Sequence, residues 1–159
     1  MKPASSPRSS RPVDPIAGIA RSSLMARVKS KGNRSTELVV ARALRHSEIL
    51  GWRRHVRNLP SKPDFYFPAA RVALFVHGCF WHGCPKCYRA PKGPNAEFWR
   101  AKVAENMRRD ARVARQLRHW GIGVVTVWEH ELSRPLWLNR LQRRLARVAR
   151  GGPKQQPSP

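Results

Sequence analysis

The stretch VALFVHGCFWHGCPKCY, residues 72–88, joins an apolar segment to a loop that is rich in histidine and cysteine. Its first five residues, Val72 to Val76, are apolar without alternation, which is typical of a central strand covered on both faces. The glycines and the proline that follow predict an ordered loop or knuckle from Gly78 to Tyr88. The segment therefore predicts a sheet whose buried strand leads directly into a chemically active loop.

Upstream of this segment, the pattern predicts one helix and two short strands. Apolar residues at helical spacing predict a helix from Thr36 to Leu50. Aromatic and β-branched residues between turn formers predict strands at Trp52–Arg57 and Pro63–Phe67. Pro68–Ala70 is then a tight connection, so the second of these strands is expected to form a hairpin with the apolar strand.

Downstream, the pattern predicts a long helix, a strand and a final helix. Asn95 is an N-cap candidate for the long helix, and Gly121 is expected to stop it. A buried strand is predicted at Val124–Trp128. The apolar stripe of the final helix comprises Leu138, Leu141, Leu145 and Val148. The order of elements is α-β-β-β-α-β-α, which predicts an α/β domain with a mixed sheet.

The composition is strongly basic. The chain of 159 residues has 32 Lys and Arg against 9 Asp and Glu, a formal net charge of +23 and a pI near 11.8. Self-repulsion at this charge disfavours the compact state unless a polyanion neutralises it, so nucleic acid is the expected partner. A membrane surface is the competing polyanion, but the longest apolar run, Val72 to Val76, is far below the ~20 residues of a spanning helix.

The two ends differ in composition from the middle. Proline, serine and arginine are frequent in the first residues, and glycine, proline and glutamine in the last. We expect a disordered basic tail at residues 1–20, a single domain at residues 21–150 and a disordered tail at residues 151–159, because neither end can bury enough apolar surface. The N-terminus has no apolar run of a secretory signal, which predicts a cytoplasmic protein.

Three cysteines lie within nine residues, at Cys79, Cys84 and Cys87. An odd number at this spacing argues against a disulfide framework and for a metal site, with Zn²⁺ as the usual occupant. The best candidate for the fourth ligand is His130, at the end of the last predicted strand, because its loop could return to the knuckle if the two strands are neighbours; His82 is the alternative. The competing interpretation is three reduced cysteines that pack as small hydrophobic residues. A zinc ion with four protein ligands is structural, so the catalyst would lie elsewhere.

The acids are few enough to be considered one by one. They are Asp14, Glu37, Glu48, Asp64, Glu97, Glu105, Asp110, Glu129 and Glu131. Only Asp64 lies inside a predicted core strand, where aspartate is unfavourable. A hard cation such as Mg²⁺, held by carboxylates and backbone carbonyl oxygen, would explain its position. The alternative is an aspartate that caps a turn at the start of the strand.

Two histidines flank the start of the loop. His77 ends the apolar strand and His82 follows five residues later. A histidine can take a proton from an attacking water near neutral pH. Each of them, taken alone, is better explained as a hydrogen-bonded structural residue or a metal ligand than as a base.

Two patterns carry a resemblance to known nucleases. Pro63-Asp64 followed by Phe75-Val76-His77 on the partner strand resembles the two-strand metal site of restriction-endonuclease-like nucleases, with Phe75 and His77 where an acid and a lysine usually stand. The whole run from His77 to Tyr88 resembles the very short patch repair endonucleases. The matching residues outside that run are Glu97-Phe98-Trp99, Asn106, Arg109-Asp110 and Trp128-Glu129-His130.

This resemblance extends from about Arg21 to Leu132 and implies a fold. The fold is a restriction-endonuclease-like core, α-β-β-β-α-β, with a mixed central sheet flanked by helices and a structural zinc knuckle. Members of the family bind a T·G mismatch left by deamination of 5-methylcytosine, and they nick the strand 5′ to the thymine with Mg²⁺. The implied partners are double-stranded DNA with a T·G mismatch and a mismatch-repair protein of the MutL type, and a monomer would suffice for a one-strand nick. The implied location is cytoplasmic, at the nucleoid.

The resemblance assigns catalytic roles by position. Asp64 would be the metal carboxylate, and Val76 would offer a backbone carbonyl to Mg²⁺. His82 would activate the attacking water, and His77 would contact the scissile phosphate or a metal-bound water. Glu37 would orient a water on the metal.

The resemblance also assigns the zinc ligands, which would be Cys79, Cys84, Cys87 and His130. Two of these positions depart from the best-known pattern, which has histidine in place of Cys84 and cysteine in place of His130. The exchange conserves a mixed thiolate and imidazole site.

The remaining assignments concern DNA recognition. Phe80, Trp81 and Trp99 match the aromatic wedge that the family inserts from the major-groove side, and Met25 matches the residue inserted from the other groove. Asn106 is a further expected DNA-binding residue. Wedge insertion costs a few kcal/mol of unstacking per step, and a wobble pair lowers that cost. The alternative for Trp99 is a core residue on the long helix.

The arginines have a less specific role. They are expected to attract phosphates without reading sequence, or simply to form solvated helix faces. They include Arg108, Arg109, Arg112, Arg115 and Arg118 on the long helix and Arg140, Arg143, Arg144, Arg147 and Arg150 on the last helix.

Two other functions compete with the mismatch endonuclease. One is a non-catalytic, zinc-stabilised nucleic-acid-binding module, which would use the same charge and aromatic residues but would not need Asp64. The other is a nuclease of the same fold with a different target.

Overall fold

The computed structural model describes residues 34–134 and 136–150. The predicted tails at residues 1–20 and 151–159 lie outside this part of the chain, as does Met25. The elements in chain order are α1 (Arg34–His46), β1 (Phe65–Phe67), β2 (Val72–His77), α2 (Ala96–His119), β3 (Gly123–Trp128), a 3-10 helix (Glu129–Glu131) and α3 (Leu136–Arg150).

The strands form one mixed sheet in the order β1-β2-β3. β1 is antiparallel to β2, with Phe65 opposite Leu74. β3 is parallel to β2, with His77 opposite Trp128. Because these two strands run in the same direction, the loop after β2 and the 3-10 helix after β3 start at the same end of the sheet.

The middle strand is covered on both faces, as its apolar run predicts. Val72 and Leu74 are fully buried in a cluster with residues of α1 and α3. Ala73 is fully buried in a second cluster with Leu117 and Ile122, on the α2 side. Successive side chains of β2 therefore face opposite layers, and the α/β architecture is confirmed.

The tight connection before β2 is also confirmed. The Arg71 amide donates to the carbonyl of Pro68 at 3.1 Å, and Arg71 has a φ of 47°. β2 ends at His77, as predicted. The histidine side chain therefore lies on the sheet rather than in the following loop.

The strand predicted at Trp52–Arg57 is wrong. Among the described residues, only Arg53 of this segment pairs with the sheet, through an isolated antiparallel bridge to Tyr66. The cause is local, because His55 has a φ of 51°, which breaks an extended backbone. The described sheet therefore has three strands and not the four predicted.

The start of β1 also differs from the prediction. The strand begins at Phe65, so Asp64 precedes it rather than lying inside it. Ser61 and Lys62 have positive φ values of 59° and 46°, and Pro63 cannot donate to a ladder. These residues form a turn that presents Asp64 at the strand entrance.

The helices contribute one apolar face each. On α1, which ends at His46 rather than at Leu50, Val40 and Leu44 are fully buried. On α3, Trp137 and Leu141 are buried, and Leu138 and Leu145 pack partly buried against the same cluster. The side chain of Val148, predicted for this stripe, lies outside the described part of the structure.

α2 packs on the other side of the sheet. Val103 and Leu117 are its buried residues, whereas Met107 and Trp120 of the predicted face are 47% and 44% exposed. Gly121 follows the helix with a φ of 70°, which confirms the predicted stop. At the other end, the helix begins after Asn95, whose side chain makes no capping hydrogen bond.

Within residues 34–134 and 136–150, no helix is both long enough and apolar enough to cross a membrane.

A pair of leucines on α3 tests this packing. Leu141 is fully buried, so Leu141→Ala should lower the free energy of unfolding by about 2–5 kcal/mol through lost burial and a residual cavity. Leu136, on the same helix, is 67% exposed, and Leu136→Ala should change it by less than about 0.5 kcal/mol. Urea unfolding measures both, and equal losses would contradict the assigned core.

Candidate active site and cysteine cluster

Asp64 is fixed against the middle strand. Its Oδ2 accepts the Val76 amide at 2.7 Å, while its other carboxylate oxygen makes no hydrogen bond with a described residue. The N–H and C=O of one strand residue face the same neighbouring strand, so the Val76 carbonyl also faces the Asp64 side of β2. The Asp64 carboxylate and the Val76 carbonyl oxygen therefore lie on the same side of β2.

The surroundings of Asp64 oppose its negative charge. Burial is the main cause, and the nearby Glu37 carboxylate adds repulsion, while the Val76 amide opposes both. Together they raise the pKa of Asp64 to about 6. A positive charge at this position would be strongly favoured, because it would offset both the burial and the repulsion.

Glu37 is a buried charge on the first turn of α1. Its side chain is 5% exposed, and it forms an ion pair with Arg54. His55 Nε2 lies 3.7 Å from the same carboxylate oxygen. The segment predicted as a strand thus turns toward α1 and supplies the Arg54 cation to Glu37, which a buried carboxylate requires. Its predicted role toward a metal-bound water stays a prediction.

The two predicted catalytic histidines stack on each other. The rings of His77 and His82 lie 3.9 Å apart at an interplanar angle of 9°. Trp128, at the end of β3, packs edge-on against His77 at 5.3 Å. Burial, followed by repulsion from His82, lowers the pKa of His77 to about 4. His77 is therefore a neutral imidazole at physiological pH.

Asp110, on α2, holds His82. The His82 Nδ1 lies 2.5 Å from Oδ2 of Asp110. Burial disfavours ionisation of Asp110, but the hydrogen bond and charge of His82 outweigh it and lower the pKa of the carboxyl. An ionised carboxylate can only accept a hydrogen bond, so the His82 Nδ1 carries a proton and donates to Asp110, while Nε2 makes no hydrogen bond with a described residue.

Asp110 was not among the residues predicted to form the site, although its spacing on α2 indicates a buried position. Val103, Asp110 and Leu117 recur every seven residues of α2, so an acid lies on the face that its two buried neighbours define. An acid on a buried helix face needs a partner, and His82 is that partner.

The structure brings the three cysteines together with His130. One ligand atom from each of the four residues lies within 4.8 Å of every other. The His130 Nδ1 is 3.2 Å from the Cys79 sulfur and 3.6 Å from the Cys84 sulfur. A tetrahedral zinc site places sulfur and nitrogen ligands about 3.6 Å apart. His82, the alternative fourth ligand, instead faces Asp110.

The knuckle backbone is shaped for this convergence. The Cys84 amide donates to the Cys79 carbonyl at 2.9 Å. Gly83 has a φ of 61°, and a Cβ there would lie 2.5 Å from the Met107 sulfur. Only Cys84 is buried and Cys87 is exposed, so packing alone does not account for the cluster.

The predicted wedge residues form a connected aromatic group at the tip of the knuckle. Trp81 lies 5.2 Å from Phe80 and 5.6 Å from Trp99, both edge-on. Asn106 donates from Nδ2 to the Trp81 carbonyl at 2.9 Å, so its amide braces the knuckle from α2. Trp99 belongs to neither described core cluster, which argues against its interpretation as a core residue.

A cavity of about 490 Å³ opens beside the stacked histidines. It lies between the sheet and α2, and His77, His82 and Asp110 line it together with apolar residues such as Phe75 and Val113. Basic nitrogen and carboxylate groups are thus concentrated at one edge of an otherwise apolar space.

An aspartate at a strand entrance, two histidines and a strongly basic chain together define a hydrolase that cleaves the phosphodiester bonds of nucleic acid. The comparison with known proteins specifies the family. The family described as DNA mismatch endonuclease Vsr matches residues 14–89. The chain belongs to this family and is a DNA endonuclease, and the family implies a restriction-endonuclease-like fold.

The relatives carry two kinds of name. The type II nicking enzyme V.XorIIP of Xanthomonas oryzae pv. oryzae is 40% identical over 122 residues, which cover 76% of this chain and 87% of the relative. The type II nicking enzyme V.NmeDIP of Neisseria meningitidis serogroup C is 36% identical over 123 residues, 76% and 80% of the two chains. The DNA mismatch endonuclease Vsr of Escherichia coli K12 is 39% identical over 82 residues, 50% and 51%.

The environment of Asp64 predicts a pH-dependent stability. Its folded pKa of about 6 exceeds the ordinary 3.8, so its stabilising contribution is complete below pH 3.8 and is lost as the pH rises through 6. Asp64→Asn removes the charge and keeps an oxygen for the Val76 amide. Without added Mg²⁺ and without a chelator, the variant should be about 1–3 kcal/mol more stable than the original chain at pH 7.5, and the gain should vanish near pH 4.

The control for this measurement is Glu105→Gln, an acid-to-amide change on the exposed side of α2. It should give no such gain at either pH. Urea unfolding between pH 4 and pH 7.5 measures both variants. An Asp64→Asn chain that is less stable than the original at pH 7.5 would contradict the assigned environment.

Proposed function

We propose that this endonuclease nicks one DNA strand 5′ to the thymine of a T·G mismatch, by Mg²⁺-dependent hydrolysis of a phosphodiester bond. One observation carries the proposal. The knuckle, Gly78 to Tyr88, bears His82 and the aromatic residues Phe80 and Trp81, and His82 stacks on His77 directly before it. Hydrolysis and DNA distortion would thus depend on the same short segment. An inserted wedge would therefore position the scissile phosphate at the histidines.

The residues around Asp64 fit a hard divalent cation. The free carboxylate oxygen of Asp64 and the carbonyl of Val76 supply the oxygen ligands that Mg²⁺ prefers. When bound, Mg²⁺ would supply positive charge for the phosphate oxygens and acidify a coordinated water. Glu37 would orient a water at this site, and its ion pair with Arg54 holds the carboxylate in place.

His82 is proposed as the general base. Its Nδ1 proton is held by Asp110, so its Nε2 can take the proton of the attacking water. The water oxygen then forms the new bond to phosphorus, and the bond from phosphorus to one bridging oxygen breaks. That oxygen keeps the electron pair and takes a proton from solvent, which leaves a hydroxyl on one side of the nick and a phosphate on the other. Asp110 is a positioning residue in this scheme, because it fixes the tautomer and the ring plane of His82.

His77 is proposed to contact the scissile phosphate or a metal-bound water. Its neutral ring stacks flat on His82 and edge-on against Trp128, which fixes its orientation. A neutral imidazole can donate one hydrogen bond to a phosphate oxygen without adding a second charge beside His82.

The cysteine cluster is proposed to hold a structural Zn²⁺. Three thiolates and one imidazole leave no open position for a catalytic water. The ion would tie the knuckle, through Cys79, Cys84 and Cys87, to the 3-10 helix, through His130. The histidines and wedge residues would then be held on a crosslinked loop.

The wedge is the proposed source of mismatch selectivity. Phe80 is 36% exposed and Trp81 packs between Phe80 and Trp99, so the group is braced and still reaches solvent. Insertion unstacks a base step, and a T·G wobble resists this less than a matched pair. Selectivity would thus arise from the cost of deforming the DNA.

The proposed activity predicts a pattern of cleavage on three duplexes. With Mg²⁺, a T·G duplex should be nicked once, 5′ to the thymine, while T·A and C·G duplexes of the same sequence should stay intact. Trp81→Ala should lower the T·G nicking rate by about 5- to 150-fold, the equivalent of one lost base stack. Denaturing electrophoresis of end-labelled strands maps the cuts.

The control variant is Trp120→Ala. It removes an equally large, 44% exposed ring that follows the last residue of α2, at the end of the helix opposite to Trp99. Its nicking rate should stay close to that of the original chain. Equal cutting of all three duplexes would overturn the mismatch proposal, and full activity of Asp64→Asn would overturn the assigned metal site.

The proposed zinc site predicts that loss of His130 releases the metal and that loss of His82 does not. The original chain and His82→Ala should each retain about one Zn²⁺ per chain after dialysis against a weak chelator, because His82 lies outside the cluster. His130→Ala should lose most of its zinc and unfold at a lower temperature. Metal analysis by mass spectrometry and thermal unfolding provide the readouts, and the reverse pattern would contradict the ligand set.

A further inference from the structure

A second, strongly basic groove lies along the edge of β3. Its volume is about 510 Å³, and its floor is the strand segment Val124–Thr126. One wall is the end of α2 and the other is α3. The arginines that line it are Arg118, Arg140, Arg143, Arg144 and Arg147.

The arginines of α3 share one face of the helix. Arg140, Arg143, Arg144 and Arg147 follow the spacing i, i+3, i+4 and i+7, which aligns them along a single row. β3 is an edge strand, since the described sheet continues only toward β2. The row therefore runs beside backbone groups that have no neighbouring strand.

The arginine row packs closely against the start of β3. Gly123, the first residue of β3, would place a Cβ 2.7 Å from the Arg144 Nε if it carried a side chain. Arg140 donates to the Thr126 carbonyl at 2.8 Å and binds Glu131 at 2.9 Å. Arg140 thus covers the strand edge, and this covering role accounts for one arginine of the five.

The other four arginines have no acidic partner. Arg118, Arg143, Arg144 and Arg147 form no ion pair with a described residue, and Glu131 is paired with Arg140. Four like charges on one groove repel each other, and a polyanion relieves this repulsion while releasing its own counterions. The groove therefore has the charge of a phosphate-binding site.

We propose that this groove binds the backbone phosphates of the DNA arm that flanks the nick site. Residues 140–147 span about 10 Å of helix, and one DNA strand places a phosphate every ~3.4 Å along its axis, so the row matches about three consecutive phosphates. A groove of this length and charge fits the extended backbone of a duplex.

The position of the groove connects it to the active site. Val124 and Thr126 line both the groove and the cavity that contains His77 and His82. Thr126 and Trp128 are two residues apart on β3, about 7 Å along the strand. A DNA strand that leaves the catalytic histidines would therefore reach the arginines within a few nucleotides. Phosphate contacts carry no sequence information, so the proposal does not depend on the mismatch specificity.

The test compares two triple variants that remove the same charge. One is Arg143→Gln, Arg144→Gln and Arg147→Gln in the groove. The control is Arg108→Gln, Arg112→Gln and Arg115→Gln, three exposed arginines on α2 that also lack ion pairs among the described residues. A third chain, with lysine at 143, 144 and 147, keeps the groove charge.

Binding is measured on matched duplexes without Mg²⁺, over a range of salt concentrations, with each arm of the duplex extended in turn. Extension of one arm should tighten binding by the original chain, by the lysine chain and by the α2 control. The glutamine groove variant should lose this gain, and its slope of log K against log salt should fall by about 2–3. Ethylation interference should locate about three consecutive phosphates that matter for every chain except this variant.

Nicking of saturating T·G duplex gives an independent readout. Its rate tests the proposed function separately: a failure of T·G nicking by the original chain would contradict the proposed activity, whereas the arm and salt dependence of binding would still test the groove. A groove variant with the salt slope and arm dependence of the original chain would overturn the proposal in favour of an acidic protein segment as the occupant. An equal loss in the α2 control would also overturn it, since the effect would then be one of net charge.

Discussion

The parallel pairing of β2 with β3 is the constraint on which the rest of the site depends. It sets His77 opposite Trp128, so the loops that leave the two strands start side by side. His130 is 51 residues from Cys79 along the chain, yet its ring nitrogen lies 3.2 Å from the cysteine sulfur. An antiparallel pairing would send the 3-10 helix to the opposite end of the sheet, and it would separate His130 from the cysteines and Trp128 from His77.

The site also resolves a conflict of charge. Two carboxylates, Asp64 and Glu37, lie close enough to repel in a chain with only nine acids. Arg54 pairs with Glu37, which leaves Asp64 as the carboxylate without an ion pair among the described residues. The excess of arginine elsewhere contributes affinity for a polyanion, whereas these two acids concentrate negative charge at one end of β1.

Elements with strong periodicity could be predicted from the sequence, and contacts across the chain could not. The buried strand, the long helix and its stop at Gly121 followed from local patterns. The segment 52–57 was misassigned because its conformation depends on a left-handed His55 and on Glu37, a residue remote in sequence. Cysteine spacing predicted a metal cluster with His130 as the favoured fourth ligand. The register of β2 against β3, which places His130 beside Cys79, could not be read from the sequence. Asp110 was overlooked because its partner lies in another element.

We propose that this end of the sheet holds two separate metal sites, a structural one in the cysteine cluster and a catalytic one at Asp64. Anomalous X-ray diffraction from crystals that contain Zn²⁺ and Mn²⁺, the latter in place of Mg²⁺, tests it most directly. The account predicts a zinc peak enclosed by Cys79, Cys84, Cys87 and His130 and a manganese peak beside the Asp64 carboxylate and the Val76 carbonyl. A zinc peak between His77, His82 and Asp110, or no manganese at Asp64, would contradict it.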